Sequence, residues 1–482
     1  MSPSFNNNNI KRLSLAIALS ISLTGCVNEE KSDNQTQALQ ATETSLDNTI
    51  NLTQITKDVT YLASDELNGR GNFSKDIEKA AQYIAQRYQQ VGLVAANNTD
   101  NFQQYYQIKS ITPASLTVVI NNNTLSADVL TMASTVSDFT WSENTANLST
   151  HVISKDDNLR TILSNINQQG GQHLVLVDPS HEKTFKRYQA YFARGLNKLI
   201  NENESTSGGI IVGAITDTTT INSLSISGTT NVNKTKISNV IGVLPGKSLP
   251  DEIVLYSAHY DHLGGISPDE HKSNHSDESS HQSMGQQIYN GADDDASGVS
   301  AIINLANHFK QVNNNERTLM FAAFSAEEIG GFGSKYFSAQ LNPSDITAMI
   351  NIEMIGKPAK FGAGTVWMTG MERSTLGEQL NIALKEQSKE IYADPYPEQN
   401  LFYRSDNATL ARLGVPAHSF SSTQLDKDQH YHQVTDDINS LDLNSMQQVI
   451  KTLATATTPL VTGKITPSRI DTNLVKGKGL IF

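Results

Sequence analysis

A single cysteine, Cys26, occurs in 482 residues, so no disulfide can form within one chain. Stability has to come from elsewhere, although export alone would permit a disulfide. Positive charge is also scarce. Lys and Arg total 36 against 49 Asp and Glu, for a net charge of −13, and no basic stripe runs along the chain. Such a balance argues against nucleic acid as a partner. Nor is there an apolar run long enough to span a bilayer as a mature helix. The longest, residues 13–23, falls short of the roughly 20 residues required. What is present is 38% hydrophobic residues, enough for a real core. The length allows two domains, or one domain carrying a large insertion.

Lys11 and Arg12 precede the apolar run, which ends in Leu23-Thr24-Gly25-Cys26. A positive region, a short hydrophobic region and a small-residue end make a secretory signal. The lone cysteine falls where a bacterial lipobox needs one, so residues 1–26 resemble a lipoprotein signal with Cys26 as the acylated residue. An ordinary secretory signal ending near a cysteine is the alternative. The expectation is an exported, membrane-anchored lipoprotein facing the periplasm or exterior, with residues 27–48 as a polar, flexible tether.

Residues 50–62 carry a helical pattern, and 63–71 form a Gly-rich loop containing Arg70, read as structural. Ile77, Ala80, Ala81, Ile84, Tyr88 and Val91 line one face of a second helix, with Gly92 as its C′ residue. Residues 49–108 are assigned to the N-terminal part of the main domain. Residues 109–236 differ in texture: short β-type runs at 116–120, 174–177 and 209–212 alternate with polar segments, and 185–199 looks helical. This block reads as an inserted β-rich domain without a cluster of possible metal ligands. From residue 237 to 464 apolar strands (253–257, 319–324, 348–354, 415–420) alternate with helical stretches (from Asp293, 332–341, 376–389, 445–461), and 465–482 follow as a C-terminal tail. The pattern predicts an α/β fold, a mostly parallel mixed sheet with helices on both faces.

The chemistry centres on Asn290-Gly291-Ala292-Asp293-Asp294-Asp295-Ala296-Ser297-Gly298. Three consecutive acids sit at a helix N-terminus, which favours carboxylates. Adjacent carboxylates repel unless cations hold them; a capping acid with two solvated neighbours is the plainer alternative. Partners elsewhere decide between the two. His259 and Asp261 follow one strand, Glu327 and Glu328 another, and Glu353 ends a third, all at the carboxyl rim where open α/β sheets place their sites. His432 lies in the loop after the strand that begins at Val415. Two imidazoles with several carboxylates suit zinc. Asp261 is placed to fix the tautomer of His259, and one of Glu327 and Glu328 can ligate while the other stays free as general base.

The segments Ser257-Ala258-His259-Tyr260-Asp261-His262-Leu263-Gly264, Gly291 to Gly298, Ser325-Ala326-Glu327-Glu328-Ile329-Gly330 and Asn351-Ile352-Glu353-Met354-Ile355-Gly356 resemble the signatures of the co-catalytic dizinc exopeptidases. That family includes bacterial leucyl aminopeptidase, glutamate carboxypeptidase, glutaminyl cyclase and the transferrin receptor. The resemblance covers roughly residues 237–464 and 50–95. It implies the zinc exopeptidase fold, two Zn²⁺ per chain, and peptide substrates. Asp293 would bridge the zincs, His259 and Glu353 would hold one, and Glu328 and His432 the other. Glu327 would move the proton from the attacking water to the leaving amine, and the peptide bond after Asp293 would be cis. The insert resembles the protease-associated insert of some secreted peptidases; a purely structural insertion is the alternative.

Two departures stand out. The family more often has Asp where Glu353 stands, and Ser-Asp-His where this chain has Ser405-Asp406-Asn407. His430 is the alternative to His432. His271, His275 and His281 lie in a polar stretch read as a solvated loop. Asp406, Arg404 and Tyr403 are the candidate substrate-binding residues. An aminopeptidase is expected, because a free ammonium needs carboxylates and the rim is rich in them: Asp294, Asp295, Glu327, Asp406 and Asp436. A carboxypeptidase would need cations, and Arg404 is a single one. Carboxypeptidase, glutaminyl cyclase with one metal, and a non-catalytic receptor-like member are the alternatives. No obligate protein partner is inferred.

Overall fold

The computed structural model describes residue 46 and residues 48–97, 99–200, 208–218, 220–266 and 287–482. The signal and lipobox through Cys26, nearly all of the tether, and the loop with His271, His275 and His281 lie outside the described residues. Thr49–Phe482 forms one compact unit. Among the described residues no helix is long and apolar enough to cross a membrane.

The expected α/β architecture is present. Eight strands form the backbone of a 12-stranded sheet. In chain order they are β1 (Gln103–Ile120), β2 (Leu224–Leu244), β3 (Leu249–His259), β4 (Arg317–Phe324), β5 (Ile346–Ile352), β6 (Val366–Met368), β7 (Ile391–Ala393) and β8 (Ala417–Ser421). Across the sheet the order is β7-β6-β8-β5-β3-β4-β2-β1. The centre, β8-β5-β3-β4, is parallel; β2 and β6 pair antiparallel to it, and β1 pairs antiparallel to β2. Every residue of β4 is buried, as its unbroken apolar run requires of a strand covered on both faces. Alternation then sorts the core. Leu255, Met320, Ala322 and Phe324 pack on one face with Phe337 and Leu410. On the other face Tyr256 stacks on Phe321 and meets Phe309, and its hydroxyl donates to Thr457.

Helices α1 (Leu52–Leu62) and α2 (Lys75–Val91) start on the side-chain caps Asn51 and Ser74, and α2 stops at Gly92, whose φ is 81°. Helix α3 (Gly298–Val312) begins five residues later than the expected start at Asp293, because the acids form an irregular turn ahead of it. Helices α4 (Phe332–Ala339), α5 (Leu376–Leu384) and α6 (Leu443–Val461) follow along the chain.

The insert is not a separate bead. Strands β1 and β2, of 18 and 21 residues, run from the main sheet into the 109–236 block as one ladder with a bulge at Thr229–Thr230. The expected boundaries at 108/109 and 236/237 therefore fall inside a hydrogen-bonded ladder. Beyond it a four-stranded sheet orders Leu130–Ser134, Gly209–Ile215, Gly171–Val177 and Leu148–Ile153. The helices Leu159–Gln169 and Glu182–Ala193 cover one face of it through Leu163, Ile166, Phe185 and Phe192. The helix expected over 185–199 ends at Ala193, and Leu196–Leu199 is a strand paired with β1. Gly195, at φ 83°, makes the break. The tail packs here too: Ile481 is fully buried in the insert core, and Asn167 binds the backbone of Ile481 and Phe482.

Arg70 ties the N-terminal segment to the acid turn. It is fully buried and donates to the carbonyls of Tyr260, Leu62, Asn290 and Gly291. Its removal leaves four carbonyls without their donor. Arg70→Met should therefore lose about 3 kcal/mol of unfolding free energy or more, read from chemical denaturation. A loss below about 1 kcal/mol would show that the clamp adds little.

Candidate metal centre

The acid turn starts at Gly291, in the left-handed region at φ 56°, where an added Cβ would lie 2.2 Å from the Asp294 carbonyl oxygen. Only glycine fits. The three carboxylates that follow go three ways. Asp293 accepts from Gly356 N at 2.7 Å and Thr423 Oγ1 at 2.6 Å, with Lys357 Nζ at 3.3 Å. Asp295 accepts from Gly298 N, Met354 N and His259 N, at 3.0, 3.0 and 3.3 Å. Asp294 instead lies between two imidazoles, its Oδ1 3.1 Å from His259 Nε2 and its Oδ2 3.2 Å from His432 Nε2.

The carboxylate that faces both imidazoles is therefore Asp294, one residue after the Asp293 that the resemblance implied as the bridge. The cause is local. Asp294 leaves the helical region (φ −106°, ψ 93°), while Asp436 accepts from the backbone N–H groups of both Asp293 and Asp294 and fixes the turn. The cis peptide joins Asp294 to Asp295, likewise one residue later than expected.

The register of the sheet brings the other groups to the same rim. His259 pairs with Phe324, and Ser257 with both Ala322 and Asn351, so β3, β4 and β5 end side by side. Glu327 and Glu328 follow β4. Their backbone N–H groups donate to Asp261 Oδ1 and Oδ2 at 3.1 and 3.2 Å, and Asn72 Nδ2 donates to Asp261 Oδ2 at 2.6 Å. Asp261 takes up the other ring nitrogen of His259, as expected, but through its backbone carbonyl. The His259 Nδ1–H donates to the Asp261 carbonyl at 3.1 Å, and the carboxylate holds the Glu327–Glu328 backbone instead. Tyr106 of β1 braces the same loop through Ser325.

His262 was not singled out from the sequence. Its Nδ1 lies 2.7 Å from Glu328 Oε1, and His262, Asp294 and Glu328 form a group able to hold a metal ion. The signal available was a second imidazole three residues after His259 within one motif. His432 Nε2 is 3.3 Å from Glu328 Oε2. His430 turns away and meets Thr435.

The electrostatics fit a cation. Burial, followed by the nearby acids Glu353, Asp406 and Glu328, pushes Glu327 well above the usual carboxyl range. Burial likewise raises Glu353 to about 7. At His432 burial disfavours the proton, but Asp294 and Glu328 outweigh it and lift the pKa to about 10. A cation would relieve this crowding of acids and release that proton. Nε2 of His262 is buried with no hydrogen-bond partner among the described residues, and Nε2 of His259 is buried against Asp294, as ligand nitrogens are before a metal arrives.

The expected substrate residues separate. Glu353, Arg404 and Tyr431 line a cavity of about 450 Å³. Tyr403 does not line it, which corrects that expectation: its hydroxyl accepts from Lys476 N, and Arg373 sits over its ring. Asp406 is 1% exposed, raised to about 6 by burial, and both its oxygens lack a hydrogen-bond partner among the described residues. Asn407 faces the interior, donating to Phe402 O and accepting from Ser419 Oγ. Its neighbour Asn351 donates to Ser405 Oγ and Ser419 Oγ behind Glu353.

Imidazoles and carboxylates of this kind bind zinc, and a spare buried carboxyl beside them suits hydrolysis. Fold and site together thus define an α/β metallohydrolase. Residues 239–457 match Peptidase family M28, so this stretch of the chain is a domain of that peptidase family. Its fold is similar to the aminopeptidase from Aneurinibacillus sp. strain AM-1, with a TM-score of 0.51 and 16% identity, covering 90% of this chain and 98% of that one. It is similar also to BSAP, a zinc aminopeptidase from Bacillus subtilis, with a TM-score of 0.50 and 17% identity, covering 88% and 98%. At these identities the likeness establishes the fold.

The corrected register has a direct consequence for metal binding. Asp294→Ala should weaken zinc affinity by more than about 100-fold, and Asp293→Asn within the range of about 10–100-fold set by an outer partner. Competition titration against a chromogenic chelator reads both. The reverse order would return the bridge to Asp293.

Proposed function

We propose that the chain is an aminopeptidase that uses two zinc ions, one held by His259 and Glu353 and the other by Glu328 and His432, with Asp294 shared. One observation carries the choice of peptide end. Glu353 is near enough to His259 and Asp294 to feel their charges and also lines the cavity, so a residue whose side chain enters the cavity presents its free ammonium to a carboxylate. Asp295 and Asp436, counted earlier among the rim acids, are taken up by backbone N–H groups and leave this role to Glu353 and Glu327.

When bound, zinc polarises the scissile carbonyl and lowers the pKa of water. Glu327 supplies the proton transfer. Its burial keeps its pKa raised toward the working range of a general base, and Asp261 fixes its backbone. It takes a proton from the attacking water and delivers it to the leaving amine nitrogen. His262 orients Glu328 through the 2.7 Å contact. A receptor-like protein would have no use for Glu327, which favours a catalyst.

Two measurements test this. Glu327→Gln should keep its zinc and its folded stability yet lose about 10²–10⁴-fold in kcat; normal turnover would remove Glu327 from the mechanism. For the peptide end, a C-amidated peptide should be cleaved and its N-acetylated counterpart resist. The opposite pattern makes the protein a carboxypeptidase, and a pyroglutamyl product from a Gln-first peptide makes it a cyclase.

A further inference from the structure

The cavity beside Glu353 has a definite chemistry. Met354, Leu401, Leu425 and Trp367 give it apolar walls, and about 450 Å³ is ample for one side chain. Its charged lining residues are Glu353, Asp428 and Arg404. Asp428 is already satisfied: Oδ1 accepts from Lys357 Nζ at 2.9 Å and His430 N at 3.2 Å, and Oδ2 from Tyr431 N at 3.1 Å. Glu353 accepts from Asn351 Nδ2 and lies within the influence of His259 and Asp294. Arg404 remains. It is exposed, and its guanidinium makes no ion pair or side-chain hydrogen bond among the described residues. A second donor is unused as well: Trp367 is 3% exposed, and its Nε1–H is buried without an acceptor. A buried donor left unmade is costly, and an acceptor brought by a ligand would satisfy it.

We propose that this cavity selects peptides whose first residue is acidic, with Arg404 pairing the side-chain carboxylate and Trp367 Nε1–H offering a second hydrogen bond. The proposal rests on the aminopeptidase reading, which places the first side chain in this cavity. It assigns opposite tasks to neighbouring charges: the carboxylates at Glu353 hold the ammonium, and Arg404 holds the acid several ångströms along the same residue. Lysine in the first position would meet Arg404 with like charge, and leucine would leave both donors unmade.

The test uses the full zinc-loaded chain and C-amidated peptides that differ only in a first residue of Glu, Gln, Leu or Lys. Glu-first peptides should exceed Leu-first ones in kcat/KM by about 10–100-fold, the range of a charged hydrogen bond, with Gln between them and Lys lowest. In Arg404→Met the Glu-to-Leu ratio should fall by a similar factor; the position is exposed, so folding is not at stake. A wild-type preference for Leu over Glu, or an unchanged ratio in the variant, overturns the proposal. If the wild type cleaves none of the amidated peptides but does cleave N-acetylated ones with a free carboxylate, the aminopeptidase reading fails, and the acidic first-residue pocket with it.

Discussion

Three carboxylates in consecutive residues can coexist in a buried turn only if the backbone sends each to a different set of partners. Here Asp293 is held by Gly356 N, Thr423 and Lys357, Asp295 by three backbone N–H groups, and Asp294 is left to face the imidazoles. The two outer acids do structural work that makes the middle one available. Through them the turn touches the start of α3, the segment after β5 and the end of β3, so the ends of the central elements are fixed by the same residues that frame the site. Arg70 and Asp436 complete the arrangement from outside, one gripping carbonyls and the other N–H groups.

Much of this was legible in the sequence, for reasons tied to particular residues. The unbroken apolar run of β4 could only be a strand buried on both faces, and the acids and imidazoles that follow β3, β4 and β5 could only emerge at one rim. What stayed hidden was whatever depends on a single dihedral. Asp293 and Asp294 are chemically identical, and only the departure of Asp294 from helical geometry distinguishes the one that enters the site. Asp261 offers both a carbonyl and a carboxylate to its surroundings, and spacing alone does not tell which of them meets His259. Tyr403 and Arg404 are adjacent, yet a short helical turn points one at Lys476 and the other into the cavity. His262 shares a motif with His259, and only the fold shows that it reaches Glu328.

The insert was legible as a change of texture but not as a continuation. Its β-type runs read as separate short strands, because polar residues such as Asn231, Asn233, Lys234 and Lys236 interrupt the apolar pattern. In the folded chain those residues lie on the ladder between β1 and β2, where backbone hydrogen bonds, not burial, keep the strand going. The helix ending at Ala193 was overextended for the complementary reason: Leu196 and Leu199 look like further turns of an apolar face, and they are instead the two buried ends of a strand.

The continuous ribbon of β1 and β2 makes the insert a lever and not a cassette. A segment joined through loops can be lengthened by any number of residues, since the linker absorbs the change. A ladder answers to the pleat. Adding one residue to each strand would turn the buried row of Val118, Ile120, Leu224 and Ile226 outward, away from the sheet it packs on. Adding two would restore the face and carry the whole insert about 6–7 Å further from the metal centre. Away from the bulge where Ala114 stands opposite Thr229–Thr230, changes of length in both strands are thus confined to even steps, and each even step moves the insert by a fixed stride along the ribbon.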